Sequence, residues 1–144
     1  MRLWRISDFA DLSGIGGQIA PGRWHSKGRH IVYAAESSAL AMLEVLVGLE
    51  LGFMPPSFQL IQIDAPDDLE TTEYPADADL HDQSLMAAWG DAFLRAGATP
   101  LARVPSAVAP YCWNYLLNPF HPQASRVSIA RAERWPWDER LFRG

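Results

Sequence analysis

Residues 31–50 read IVYAAESSALAMLEVLVGLE, and the change of pattern inside them sets the architecture. Ile31 to Ala35 begins with two β-branched residues and an aromatic, side chains that fit a pleated sheet, so a strand is expected there. It ends at Glu36-Ser37-Ser38. Either serine can cap the helix that follows, because a hydroxyl at that point accepts from a first-turn N–H with no partner inside the helix. From Ser38 to Glu50, Leu40, Leu43, Leu46 and Val47 recur at intervals of three and four, which predicts one buried face. Gly52 and the pair Pro55-Pro56 end the run.

The rest of the chain extends this pair of elements. Leu3 to Ile6 alternates as an opening strand, and the Gly/Ser-rich stretch through Gly14, Gly16, Gly17 and Gly22 reads as irregular. Leu60 to Asp64 alternates as a strand. The acidic stretch from Asp64 to Asp82 reads as a solvated excursion with a short turn or two. Ser84 to Ala96 has helical spacing through Leu85, Trp89 and Phe93, with Gly97 placed for a left-handed C-terminal cap. Leu101 to Val104 predicts a strand entering Pro105-Ser106. Tyr115 to Leu117 is apolar, Asn118-Pro119 signals a turn, and Arg126 to Ala130 alternates again. The tail, Trp135 to Phe142, is too aromatic to stand in water and is expected to pack back on the body. Strands and helices follow no regular alternation and no spacing repeats, so the expected class is α+β. At 144 residues, a single domain over 1–144 is expected.

Composition narrows the partners. The net charge is −5, so the field of positive charge that neutralises nucleic-acid phosphates is missing, and no direct nucleic-acid contact is expected. A compact anion held by a few converging arginines is still compatible with that balance. The single cysteine, Cys112, permits no internal disulfide and suits a reducing compartment. The first residues lack the apolar core of a secretory signal, and no window approaches the ~20 apolar residues of a membrane helix. A cytoplasmic protein is expected.

Glu44 is the most unusual residue by position, flanked by Ala41, Leu43, Val45, Leu46, Val47 and Gly48. A carboxylate there loses hydration unless something pairs with it. On this segment alone, a side chain pointing to water is the simpler reading. Arginines that could meet it stand at 5, 23, 29, 103 and 140. The segment Pro21 to Arg29 mixes Trp24 with two glycines and the cations Arg23, Lys27 and Arg29, and so resembles a phosphate-gripping loop. Tyr33 lies on the strand ahead of Glu44, and the two can converge if strand and helix pack together. Ser106 follows a proline at a strand end, where it can bond a ligand or cap a turn. His25, His30, His81 and His121 show no i,i+4 pairing, so no metal site is expected. Gly14-Ile-Gly-Gly17 does not join a strand to a helix as a dinucleotide fingerprint would, and Ser106 lacks the setting of a hydrolase nucleophile.

Taken in order, Trp4-Arg5-Ile6, Gly22-Arg23-Trp24, Lys27-Gly28, Val32-Tyr33, Ala41-Met-Leu-Glu44, Val104-Pro-Ser106 and Asn114-Tyr-Leu-Leu-Asn-Pro119 resemble the RES domain nearly end to end. The resemblance implies the toxin half of a bacterial toxin–antitoxin pair, a mixed β core with flanking helices of the ADP-ribosyltransferase kind, and NAD⁺ as substrate. By the same resemblance Arg23, Glu44 and Ser106 are the family's naming residues, with Arg5 and Tyr33 completing the pocket. The implied catalytic set is Glu44, Arg23, Tyr33 and Ser106. The implied NAD⁺-binding set is Arg5, Arg23, Tyr33, Ser106 and Asn118, and Arg140 matches a further motif position. The activity implied is cleavage of the nicotinamide–ribose bond by water or phosphate. Transfer of ADP-ribose to a target protein is the alternative, and a non-catalytic partner-binding module is the reading from another class. The implied partner is a cognate antitoxin with a DNA-binding domain. Phe120 departs from the pattern, which expects a basic residue there.

Overall fold

A computed structural model describes residues 1–49, 55–75 and 77–142. Its strands are β1 (Arg2–Ile6), β2 (Val32–Ala35), β3 (Ser57–Asp64), β4 (Thr71–Glu73), β5 (Leu101–Pro105), β6 (Trp113–Leu117) and β7 (Ser128–Pro136). The helices are α1 (Ile15–Ile19), α2 (Ser38–Gly48) and α3 (Gln83–Ala96). All the strands join one sheet in the order β4-β5-β6-β2-β1-β3-β7, antiparallel throughout except where β4 lies parallel to β5. The expected α+β class is what the chain adopts.

Period-two alternation sorts the strand residues onto two faces. Leu3, Val32, Ile61, Ile63, Leu101 and Leu117 bury on one. On the other, α3 lays Met86 and Phe93 against Ala102, Val104 and Leu116, and α2 lays Leu40 and Ala41 against Ala35. Burying one such large aliphatic side chain stabilises by about 2 kcal/mol.

The ladders are uneven, and this shapes the site. β1 pairs with β3 from Arg2↔Asp64 through Ile6↔Leu60, and β2 pairs with β6 from Val32↔Leu117 through Ala35↔Asn114. Between β1 and β2 there is a single register pair, Trp4↔Ala35. Antiparallel geometry would next set Arg5 opposite Ala34 and Ile6 opposite Tyr33. The strands part there, leaving a seam in the sheet.

Several expectations are corrected. Leu43 and Val47 are exposed, at 43% and 62%, while Leu40 and Ala41 are the buried residues of α2. The helix is apolar almost all round, so spacing could not select its inner face. Ser37 is its cap, accepting from the Leu40 N–H at 3.1 Å. The helix ends at Gly48, with Leu49 already extended, short of the expected Glu50; Glu50 itself and the stop at Gly52 lie outside the described residues. The glycine stretch contains α1, which has no side-chain cap and is held instead by bonds from a nearby imidazole. The acidic stretch is not wholly solvated: it supplies β4 and buries Leu69 and Tyr74. The last strand begins at Ser128 and runs on to Pro136, taking Trp135 into the sheet edge, and Trp137 is the tail residue that packs back, against Phe58.

α3 starts one residue earlier than expected, capped by Asp82, and ends at Gly97 in the left-handed region. At Gly90 the helix touches another segment so closely that a Cβ would stand 1.6 Å from the Trp24 carbonyl oxygen. Only glycine fits there. Trp24 is thereby pinned to α3, with Tyr74 and Trp89 edge-on around its indole. Among the described residues, no helix is long and apolar enough to cross a membrane.

Candidate active site

The seam between β1 and β2 opens into a cleft of about 370 Å³. Trp4 to Ser7 form one wall and Tyr33 to Ala35 the other; α2 contributes Ala41, Glu44 and Val45, and α1 with the Pro21-Gly22 turn closes the end. The volume lies in the range of small-molecule sites. Its walls are strands, so their positions are set by the ladders beside them.

Glu44 enters from α2 on the same side as Leu40 and Ala41, one turn on, and so faces the sheet rather than water. Its Oε1 accepts from the Ser106 hydroxyl at 2.6 Å and from Asn114 Nδ2 at 2.9 Å. The Ser106 oxygen itself accepts from the Val108 and Ala109 N–H groups, each at 3.1 Å. A hydroxyl has one proton, and here it is committed to Glu44. Ser106 is buried behind the carboxylate and does not line the cleft, so the structure gives it the role of fixing Glu44.

Arg5 lines the cleft. Burial lowers its pKa from the ordinary arginine value, with the charge of Asp11 opposing that effect. One terminal nitrogen donates to Ser7 Oγ at 3.3 Å, and its buried Nε has no hydrogen-bond partner. Among the described residues no carboxylate lies within salt-bridge distance of it. A half-buried guanidinium in that state has donors free to take up an anion.

Tyr33 stands on the opposite wall. Its phenol accepts from the Trp24 N–H at 3.2 Å and lies 2.5 Å from His25 Nδ1. Burial pushes its pKa well above the ordinary tyrosine value. Arg23 sits at the corner of a tight turn closed by Gly22 and His25, next to the cleft-lining Gly22. It forms no ion pair among the described residues.

The remaining expected residues fall elsewhere. Asn118 does not line the cleft: it is buried at the far end of β6 from Asn114, its Nδ2 donating to the Leu94 carbonyl and its Oδ1 accepting from the Phe120 N–H. There it anchors the turn that follows β6. Arg140 is exposed and bound to Asp138, whose carboxyl it holds down to a pKa of about 2. Arg103 stacks on Trp113, 3.7 Å from the ring centroid, and faces Glu73. The expected phosphate-gripping loop is largely a structural tie: Ser26 donates twice to Asp91, and Arg29 pairs with the same carboxylate at 3.4 Å. Of its three cations, Arg23 is the one beside the cleft.

Two site residues escaped the sequence reading. Asn114 belongs to a recognised motif but carried no sign that its amide would reach Glu44. His25 sits in the Pro21 to Arg29 segment, whose composition gives no sign of the bonds its ring makes to Tyr33 and α1.

The RES domain matches residues 2–138. Over 99% of its length the chain is 44% identical to Toxin Res of Pseudomonas putida (strain KT2440), covering all of that protein. It is 34% identical to the Prs ADP-ribosylating toxin of Sphingobium sp. (strain YBL2), over 97% of this chain and 96% of the relative. Among solved structures, a chain of the M. tuberculosis MbcT–MbcA toxin–antitoxin complex superposes with a TM-score of 0.72 at 17% identity, covering 98% of this chain and 86% of that one. This chain therefore shares the fold of that one, within the expected α+β class. With the family match and these relatives in agreement, the chain belongs to the RES domain family and is a toxin of the kind these relatives represent.

Proposed function

We propose that the cleft binds NAD⁺ and breaks its nicotinamide–ribose bond. The observation that carries the reading is Glu44, held on one oxygen by Ser106 and Asn114 at the edge of a cleft that also contains Arg5, half-buried and without a carboxylate partner among the described residues. Nicotinamide leaves as a neutral molecule with the electron pair of the C1′–N bond, so no acid is needed. Positive charge then develops on the ribosyl group. A fixed carboxylate stabilises that charge without reorganising, commonly the largest single catalytic effect. Among the described residues Glu44 Oε2 has no hydrogen-bond partner, which leaves it for the ribose. Arg5 and Arg23 hold the pyrophosphate through their forked donors, and the Tyr33 ring flanks the nicotinamide.

Water attack at C1′, with loss of a proton to solvent, yields ADP-ribose; phosphate attack yields its phosphorylated form. Free consumption of NAD⁺ is the reading preferred here. The second reading, transfer to a protein side chain, is favoured by the Sphingobium relative's name. The chain acts as the toxin of a pair restrained by a cognate antitoxin, which carries a DNA-binding domain, and works in the cytoplasm. The M. tuberculosis toxin–antitoxin complex supports the pairing. Purified protein is incubated with NAD⁺, with and without phosphate and with cell extract, and nicotinamide release is followed beside Glu44→Ala. Release in buffer alone supports hydrolysis, and release only with extract supports the second reading. Release no greater than that of the variant under every condition overturns both.

A further inference from the structure

His25 is buried to 3% exposure, lines the cleft, and has no part in the reaction described above. Its Nε2 lies 2.9 Å from the Ala20 carbonyl oxygen and 3.1 Å from that of Gly17. Both atoms are acceptors only, so Nε2 carries a proton. In the neutral ring this leaves a lone pair on Nδ1, facing the Tyr33 hydroxyl at 2.5 Å. The Tyr33 oxygen already accepts from the Trp24 N–H. A directed chain results: Trp24 N–H to Tyr33 O, Tyr33 O–H to His25 Nδ1, and His25 Nε2–H to the carbonyls at the end of α1.

The packing leaves the imidazole no alternative seat. A Cβ on Gly22 would lie 2.7 Å from the Tyr33 oxygen and 2.9 Å from His25 Cε1, so the turn that carries Arg23 closes directly over the pair. α1 is five residues long and has no side-chain cap, so it is too short to hold itself. One side chain thus ties three parts of the cleft together: the tyrosine wall, the α1 end wall and the arginine turn.

We propose that His25, as the Nε2–H tautomer, is a positioning residue that fixes Tyr33 and α1 against the NAD⁺ cleft. It fixes the direction of the Tyr33 proton, which points at the imidazole and not at the ligand. The inference rests on the NAD⁺ reading for its consequence and on hydrogen-bond geometry alone for its arrangement. Its effect falls on substrate binding, because His25 acts through the wall and touches no reacting atom.

Two side chains separate its functions. His25→Asn keeps an oxygen near Nδ1 for Tyr33 but loses the donor to α1, and His25→Gln keeps a donor near Nε2 but loses the acceptor for Tyr33. His25→Ala is expected to raise KM for NAD⁺ about tenfold with kcat changed much less, the scale of a buried hydrogen bond left unmade. Asn and Gln should each restore part of that loss. In a Tyr33→Phe background, replacing His25 by Gln should add nothing further, since the bond it breaks is already gone. Additive losses in the two backgrounds would overturn the proposal, as would equal loss in all three His25 variants. Long-range ¹H–¹⁵N NMR of the intact protein reads the tautomer without substrate: a protonated Nε2 and bare Nδ1 are expected, and a protonated Nδ1 overturns the arrangement. If wild type releases no nicotinamide, the NAD⁺ reading fails while the tautomer is still decided.

Discussion

Ser106 Oγ donates to Glu44 Oε1 across 2.6 Å, although the two residues are 62 apart in sequence and one belongs to a turn after β5 and the other to α2. The serine is held in turn by two backbone N–H groups, so the carboxylate takes its position from the backbone at one remove. Removing the charge and removing the support should therefore have different signatures. Glu44→Gln retains an acceptor for Ser106 and Asn114 and should fold with nearly unchanged stability, while nicotinamide release falls by about a hundredfold or more. Ser106→Ala should lower the rate less and destabilise by about 1–3 kcal/mol through the unpaired groups it leaves. Rate assays beside thermal melts check both.

Arg5 is expected to trade stability for binding. Its buried Nε lacks a partner and burial lowers its pKa, so the folded chain bears a desolvation cost that the Asp11 charge and the Ser7 bond offset only in part. Arg5→Met should leave the melting temperature unchanged or raise it, by about 1 kcal/mol equivalent, while abolishing measurable NAD⁺ saturation. A large fall in melting temperature would refute the assignment.

Arg23 offers the contrast. It is half-buried, forms no ion pair among the described residues and sits on a turn, so Arg23→Ala should change stability by less than about 0.5 kcal/mol. The loss should appear as a raised Kd for NAD⁺, with saturation recovered only at higher NAD⁺ concentration. Isothermal titration with the Glu44→Gln background, where substrate is not consumed, measures it directly.

Asp91 ties the Arg23 segment to α3 through Ser26 and Arg29. Its burial pushes its pKa up, but the two bonds from Ser26 and the Arg29 charge outweigh that, and the net shift is downward. A carboxylate lowered on folding contributes stability above its unfolded pKa and loses it as pH falls through the folded value. Asp91→Ala should cost about 1–3 kcal/mol at neutral pH, and the gap from wild type should narrow below about pH 4. Denaturant melts of both proteins across that range test the sign.

Much of the scaffold could be read locally. β2, α2 and α3 announce themselves through β-branched residues, a serine cap, helical spacing and the C-terminal Gly97. Elements that depend on side-chain ties or on distant strands could not: α1 is held by the nearby His25 ring, and β4 exists through its pairing with β5. The buried side of α2 was misread because its leucines and valines surround the helix, and what turns Glu44 inward is the sheet beneath it. The convergence of Arg5, Tyr33 and Glu44 followed from motif order. Periodicity carries no trace of the Asn114 amide or of the imidazole's two bonds, since each depends on which strand ends meet.

A sheet paired along its full width has no interior to offer a ligand. Here a single rung, Trp4↔Ala35, joins two well-laced halves, and the rest of that border is left unfastened. The recess is consequently an omission in the weave rather than a hollow scooped from loops. Surface segments around it can diverge in sequence and change what is admitted, while the jaws keep their spacing.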